Sequence, residues 1–248
     1  MQIFDAHFHI IDKAYPLIPN QGYLPDEFTV DDYLACTQTL NISAGCIVSG
    51  SFQGYDQNYL IAALAKLGKN FVATTQLPFD ATDETILFLN QQGIRGVRFN
   101  LYRGESIAAK SLLNFAKRVY ELAHWHMEIY VDAKQLIELE ATLLKLPSVS
   151  IDHLGLTKVG FNVLLRLVAK GIKVKASGFA RVNFDVKTAL TEIYAANPQS
   201  LIFGTDLPGT RAPRAFNASD IDLIKTNFSE PAVKQIFWDN AMAFYRLS

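Results

Sequence analysis

Apolar positions along this chain switch repeatedly between a period of two and a period near 3.6, from one end to the other. Strands are predicted at residues 4–10 (FDAHFHI), 44–49 (AGCIVS), 71–77, 94–100 (IRGVRFN), 127–133 (MEIYVDA), 149–154 (VSIDHL), 172–177 (IKVKAS) and 200–206 (SLIFGTD). Helical periodicity fills the gaps: about 29–40, 56–67, 82–92, 107–123, up to Leu146, 160–170, 186–196, 219–227 and 230–245. Local signals mark several boundaries. Thr29 and Thr82 are N-cap residues, Asp31 and Asp32 suit the positive end of a helix dipole, Gly68 stops a helix, and Pro231 falls in a first turn. Strand and helix in regular alternation predict a parallel sheet. Eight such units in 248 residues fit one (β/α)8 barrel, a TIM barrel, spanning residues 1–248 as a single domain. An open doubly wound sheet would carry a Gly-rich phosphate turn after its first strand, and none is present.

Within the first strand, Asp5, His7 and His9 alternate with Phe4, Ala6, Phe8 and Ile10. Successive side chains on a strand point to opposite faces, so the reading puts both imidazoles on one side with Asp5 beside them, deeper, as an orienting group. Imidazole is a common metal ligand and the proton carrier of neutral pH. Residues 11–28, with Pro16, Pro19, Gly22 and Pro25, form a connection long enough to suggest function.

Composition narrows the field. Half of the residues are hydrophobic and the net charge is -1, with no basic run or acidic tail, so nucleic acid and anionic membranes are poor partners. No apolar run reaches the ~18 residues of a membrane span, and no basic segment followed by an apolar core marks a signal peptide. Cys36 and Cys46 are isolated and read as buried thiols of a reducing, cytoplasmic compartment. No helix face reads as an interface, which leaves oligomeric state open.

Barrels of this kind place chemistry at the C-terminal ends of their strands. There the sequence offers His7 and His9, then Ser51, then Arg98 and Asn100 with Arg103 beyond, Tyr130 and Asp132, Asp152 and His153, Arg181, and Asp206. The opposite ends carry Lys69, Asn70 and Gln199, ordinary solvated residues. Bland readings go to the rest. His124 and His126 are expected as helix-end caps at the wrong rim, Asp152 as structural because it points opposite to His153, and Arg211 and Arg214 as either anion-binding or solvated.

The motifs DAHFH, IDHLG and FGTD-x-P, in that order, resemble the amidohydrolase superfamily, and WDNAMAFY resembles the closing helix of its amidohydrolase-related branch. SGSFQGYDQN, RGVRFN and KASGFAR are similar to segments of the 2-pyrone-4,6-dicarboxylate lactonases of that branch. The resemblance implies that Asp206 activates water, that His7, His9 and His153 line the site, and that Ser51, Arg98, Arg103, Tyr130 and Arg181 grip a small anionic lactone. It also bears on cofactors. The strand-five histidine of many metal-bearing members and the strand-four bridging residue of the binuclear ones are missing here, which argues against a two-metal centre. His7, His9 and Asp206 remain able to hold one zinc with open positions, whereas the lactonases work without metal, and the expectation is no obligatory cofactor. Mononuclear zinc-dependent hydrolysis or decarboxylation, sugar-lactone hydrolysis and a non-enzymatic binding barrel stand as the alternatives.

Overall fold

The computed structural model describes residues 1–104 and 108–247. Its strands form one eight-stranded parallel sheet in sequence order: β1 Ile3–Phe8, β2 Ile42–Val48, β3 Phe71–Thr75, β4 Ile94–Asn100, β5 His126–Tyr130, β6 Val149–Ile151, β7 Lys173–Ala176 and β8 Leu201–Phe203. Helices α1 Val30–Thr37, α2 Asn58–Leu67, α3 Asp83–Gln91, α4 Ala109–Ala123, α5 Leu136–Leu143, α6 Phe161–Ala169, α7 Val186–Ala196 and α8 Ala218–Asn227 follow successive strands. The closing helix Glu230–Tyr245 carries a π-turn at Gln235–Asp239. This is the (β/α)8 barrel. Among the described residues no helix is long and apolar enough to cross a membrane. The fourth helix's expected start, Ile107, lies outside the described residues.

Caps decide where helices begin. Thr29 and Asp32 form a reciprocal capping box at α1, and Thr82 Oγ1 accepts from the Thr85 N–H at α3. The strands end earlier than their apolar patterns suggest, because the chain leaves the sheet through left-handed residues. His153, Leu154 and Asp206 have φ of 48°, 54° and 61°. His153 and Asp206 therefore stand on turns just beyond β6 and β8 and are aimed by those turns. Strained backbone of this kind concentrates at functional sites.

The barrel closes between β1 and the turn after β8. Asp206 N–H donates to His7 O at 2.7 Å, and His9 N–H donates to Leu207 O at 2.7 Å. Asp5 locks the same seam, accepting from Thr205 N–H (2.8 Å), Thr205 Oγ1 (2.7 Å), His7 N–H (3.2 Å) and Tyr33 Oη of α1 (3.1 Å). Burial pushes its carboxyl up to about 6 against those four donors. The expected alternation on β1 is thus broken. A register shift between Asp5 and Phe8 lets Phe4 and Ala6 join the apolar cluster with Cys46, Val48 and Ile202, while Asp5 turns toward α1. Gly204 permits the close seam, since a Cβ there would meet His7 Cβ at 2.7 Å and His7 N at 2.8 Å.

Two further expectations change, for His126 and for Cys36. His126 opens β5 as a fully buried residue, with Nε2 3.3 Å from Thr74 Oγ1, and is no helix cap. His124 does end α4, in the left-handed conformation. Cys36 is exposed while Cys46 is buried, and both thiols are free.

Candidate active site

A cleft of about 420 Å³ opens at the C-terminal ends of the strands, lined by His9, Asn20, Tyr23, Ser51, Arg98, Asn100, Arg103, Tyr130, His153, Arg181, Thr210 and Arg211 among others. Its floor is a convergence of three imidazoles on one carboxylate. His7, His9 and His153 each place Nε2 at 3.9 Å from Asp206 Oδ1. His7 and Asp206 lie just beneath the cleft wall, their side chains 0 % and 4 % exposed. Among the described residues, Asp206 Oδ1 and His7 Nε2 have no hydrogen-bond partner. Buried polar atoms are seldom left so, and two facing one gap mark a place for a small polar guest.

Each ring is held from behind. His9 Nδ1 lies 2.7 Å from Val48 O, so it carries the hydrogen and leaves Nε2 bare. His153 Nδ1 is 3.0 Å from Ser177 Oγ, and Gly178 gives that ring its space, because a Cβ would meet His153 Nδ1 at 2.7 Å. His7 Nδ1 faces Lys175 Nζ at 3.3 Å, with Glu128 Oε1 and Asp152 Oδ1 each at 3.5 Å. Burial, reinforced by neighbouring cations, pushes all three imidazoles toward the neutral form, His9 down to about 3. Burial raises the Asp206 pKa above the usual carboxylate value although Arg181 opposes it. The arrangement is a neutral histidine set around a carboxylate made more basic than in water.

The guanidinium groups divide in two. Arg98 donates Nε and Nη2 to Asp152 Oδ2 at 3.1 and 3.0 Å and lies over the Tyr130 ring, 5.1 Å from its centroid. Arg181 donates Nε to Asp206 Oδ2 at 2.5 Å and Nη2 to Thr210 O at 2.9 Å. Both are committed to carboxylates of the chain itself. Arg103, set over the Tyr102 and Tyr130 rings, and Arg211, stacked on Tyr23 at 4.4 Å, have no carboxylate within 4.0 Å among the described residues. Arg211 also donates to Asn20 O, joining the loop after β8 to the long 11–28 connection across the mouth.

Every sequence-derived candidate (His7, His9, His153, Asp206, Ser51, Arg98, Arg103, Tyr130, Arg181) thus gathers at one rim. Asp132 does not join them. It accepts from Lys134 N–H and Thr157 Oγ1 and shapes the turn after β5. Arg214 pairs with Asp220 outside the cleft. Asp152, expected to face away, points inward in step with Ser150, and it is His153 that the left-handed turn swings into the barrel. Sequence reasoning passed over Glu128 and Lys175, both fully buried. A partial signal was available: Glu128 shares strand parity with Tyr130, and Lys175 lies between Val174 and Ala176 on β7.

His7, His9 and Asp206 offer donors within 4.8 Å of one another, as do His7, Asp152 and His153. Tetrahedral zinc with bonds near 2.1 Å wants donors roughly 3.4 Å apart. The 3.9 Å spacings around Asp206 Oδ1 are a little wide for it, and small movements close the gap. The residues fit one metal ion.

A parallel barrel with histidines on β1 and after β6, and an aspartate after β8, defines a hydrolase-type site at its C-terminal rim. The chain belongs to the amidohydrolase family, whose model matches residues 4–247. It is 24 % identical over 215 residues to a 2-pyrone-4,6-dicarboxylate hydrolase of Comamonas testosteroni, covering 84 % of this chain and 70 % of that protein. A shorter similarity, 26 % over 98 residues, covers 39 % of this chain and 33 % of a 4-sulfomuconolactone hydrolase of Rhizobium radiobacter. Among solved structures, a probable 2-pyrone-4,6-dicarboxylic acid hydrolase of Acinetobacter baumannii with citric acid bound superposes with a TM-score of 0.87 at 24 % identity, over 100 % of both chains.

Proposed function

We propose that this chain hydrolyses a small lactone bearing carboxylates, of the 2-pyrone-4,6-dicarboxylate kind, with Asp206 as general base. The observation that carries this reading is the unpartnered Asp206 Oδ1 facing three imidazole Nε2 atoms beneath a guanidinium-lined cleft. Arg181 occupies Oδ2, so Oδ1 is the oxygen free to act. It takes a proton from water, and the resulting hydroxide adds to the ring carbonyl carbon. His153, with Arg98, stabilises the oxyanion, usually the largest single contribution in acyl transfer. As the tetrahedral intermediate collapses, the ring C–O bond breaks and Asp206 returns the proton to the leaving oxygen. An enol-type leaving group asks little of a carboxylate base, which favours an activated cyclic ester over an amide.

The arginines sort the substrate. Those already paired, Arg98 and Arg181, hold the machinery; Arg103 and Arg211, with Ser51 and Tyr130, are placed to hold carboxylates two donors at a time. A metal ion, when bound, would be held by His7, His9 and Asp206 and would supply Lewis-acid polarisation of the carbonyl. The test is hydrolysis of a lactone panel (2-pyrone-4,6-dicarboxylate, a monocarboxylated pyrone, a muconolactone, an uncharged sugar lactone), each with zinc and with chelator. Turnover strongest on the dicarboxylate supports the reading. Turnover confined to uncharged lactones, or none across the panel, overturns it.

A further inference from the structure

The inside of a (β/α)8 barrel is ordinarily packed with branched apolar side chains. Here the layer beneath the cleft holds four charged groups: Arg98 of β4, Glu128 of β5, Asp152 after β6 and Lys175 of β7, none more than 6 % exposed. Desolvating each ion costs several kcal/mol, so such a cluster persists where it does something an apolar core would not. Lys175 is at its centre. Its ammonium contacts Glu128 Oε2, stands 3.3 Å from His7 Nδ1, and lies 4.0 Å from Asp152 Oδ1.

An ammonium has hydrogens to give and no lone pair, so an imidazole nitrogen within its hydrogen-bond reach must be an acceptor. The competing acceptors for a hydrogen on His7 Nδ1, Glu128 Oε1 and Asp152 Oδ1, are farther, each at 3.5 Å, and neither makes a hydrogen bond to His7 or to any other described residue. A neutral imidazole that accepts at Nδ1 carries its hydrogen on Nε2. We propose that Lys175 is a positioning residue that holds His7 as the Nε2–H tautomer, making this histidine a hydrogen-bond donor within the site that must shift its hydrogen to Nδ1 before it can join His9 and Asp206 around a cation.

His9 is fixed the other way, its Nδ1–H given to Val48 O and its Nε2 bare. The two rings therefore present one donor and one acceptor beside Asp206 Oδ1, each Nε2 3.9 Å from that oxygen. A water taken into this gap gives its hydrogens to Asp206 Oδ1 and His9 Nε2, accepts from His7 Nε2–H, and keeps one lone pair for attack. All four of its bonding directions are assigned. This use of the tautomer rests on the hydrolysis proposed above; the tautomer itself does not.

The experiment is 15N NMR of histidine-labelled protein as purified, the His7 signals being assigned by their loss in His7→Gln. Protonated Nε2 with an accepting Nδ1 is the expected pattern; protonated Nδ1 overturns the proposal. A charge-balanced pair of substitutions, Lys175→Met with Glu128→Leu, removes both buried ions together. Asp152 then becomes the partner of Nδ1, so the tautomer should invert, and zinc affinity measured by titration should rise about tenfold or more, the scale on which partners behind a ligand act. An unchanged tautomer in the folded double variant overturns the proposal, and the wild-type spectrum decides alone if that variant does not fold. Failure of the lactone panel with an Nε2–H tautomer observed would sink the functional reading and leave this one standing.

Discussion

Replacing Asp206 by Asn separates catalysis from folding with unusual clarity. The side chain keeps its size and can still accept from Arg181 Nε through its carbonyl oxygen, at the position now 2.5 Å away. Two effects on stability oppose each other. Arg181, 7 % exposed at its side chain, loses its counter-charge, and stripping one partner from a buried pair costs up to roughly 3–5 kcal/mol. Against that, burial outweighs Arg181 at Asp206 itself, since its pKa stays above the ordinary value, so the fold is relieved of an ion that it holds uncomfortably. The pair strengthens the charged form of Arg181 yet does not offset the burial of Asp206. The Asp206 side decides, because Arg181 keeps a second acceptor in Thr210 O and reaches the open cleft. The expected net change is about 1 kcal/mol in either direction, which for a chain of this length moves Tm by roughly 2–4 °C. Catalysis has no such compensation. An amide does not take the proton from water, and loss of a general base costs on the order of 10²–10⁴-fold in kcat, about 3–5 kcal/mol of barrier at 1.36 kcal/mol per tenfold. Calorimetry, stopped-assay kinetics on the best lactone of the panel, and binding of the ring-opened acid give the three readings. A folded variant that turns over within tenfold of wild type refutes the base assignment. A Tm lower by more than about 10 °C refutes the electrostatic argument and makes the pair a structural bridge.

Other consequences are checked more simply. Arg211→Ala should raise KM for a dicarboxylated lactone roughly 10- to 100-fold, leave kcat nearly unchanged, and matter little for a monocarboxylated one, given the roughly 1.5–3 kcal/mol of a charge-assisted hydrogen bond. Gly204→Ala should lower kcat about 10²-fold through displaced His7, because the new methyl meets backbone and Cβ at under 3.0 Å; normal kinetics would show that the seam yields. The acid limb of kcat/KM should fall above pH 3.8, following the raised Asp206, while the depressed histidines stay neutral; profiles of wild type and Asp206→Glu test this. Stability has its own acid limb. His7, His9, His126 and His153 are neutral in the fold and take up protons on unfolding below pH 6.5, so their contribution is present above that pH and lost as pH falls, up to about 1.4 kcal/mol per pH unit for each. Asp5, raised to about 6, offsets one of them, its contribution being lost as pH rises from about 4 to 6. Tm at pH 7 should therefore exceed Tm at pH 5.5; a flat or reversed dependence counts against neutral buried histidines.

Most of the fold was legible because alternation and capping are local. β4 and α7 fall where the periodicity puts them, 94–100 and 186–196, and Thr29 and Thr82 cap as their side chains allow. The assembly of His7, His9 and Asp206 was legible for a different reason: polar residues sat at the ends of strands that topology brings to one rim. What failed was parity. A register shift in β1 sent Asp5 toward Tyr33, and a left-handed backbone brought His153 in alongside Asp152, events decided by contacts from other strands. Glu128 and Lys175 escaped notice because the strand pattern marks each one singly, while their pairing exists only once β5 and β7 are brought together inside the barrel. Arg211 was left undecided because its place depends on Tyr23, in a loop nearly two hundred residues earlier.

The seam that Asp5 makes with Thr205 spans 200 residues. At a ribosome adding roughly 5–20 residues per second, the first strand waits about 10–40 s for the partner that completes its bonding. Throughout that interval the two leading histidines lack Asp206, the carboxylate on which their Nε2 atoms converge. A joint that depends on the late-made end of the chain is therefore the one that creates its reactive centre, so nascent chains carry the ingredients of the chemistry without the ability to perform it.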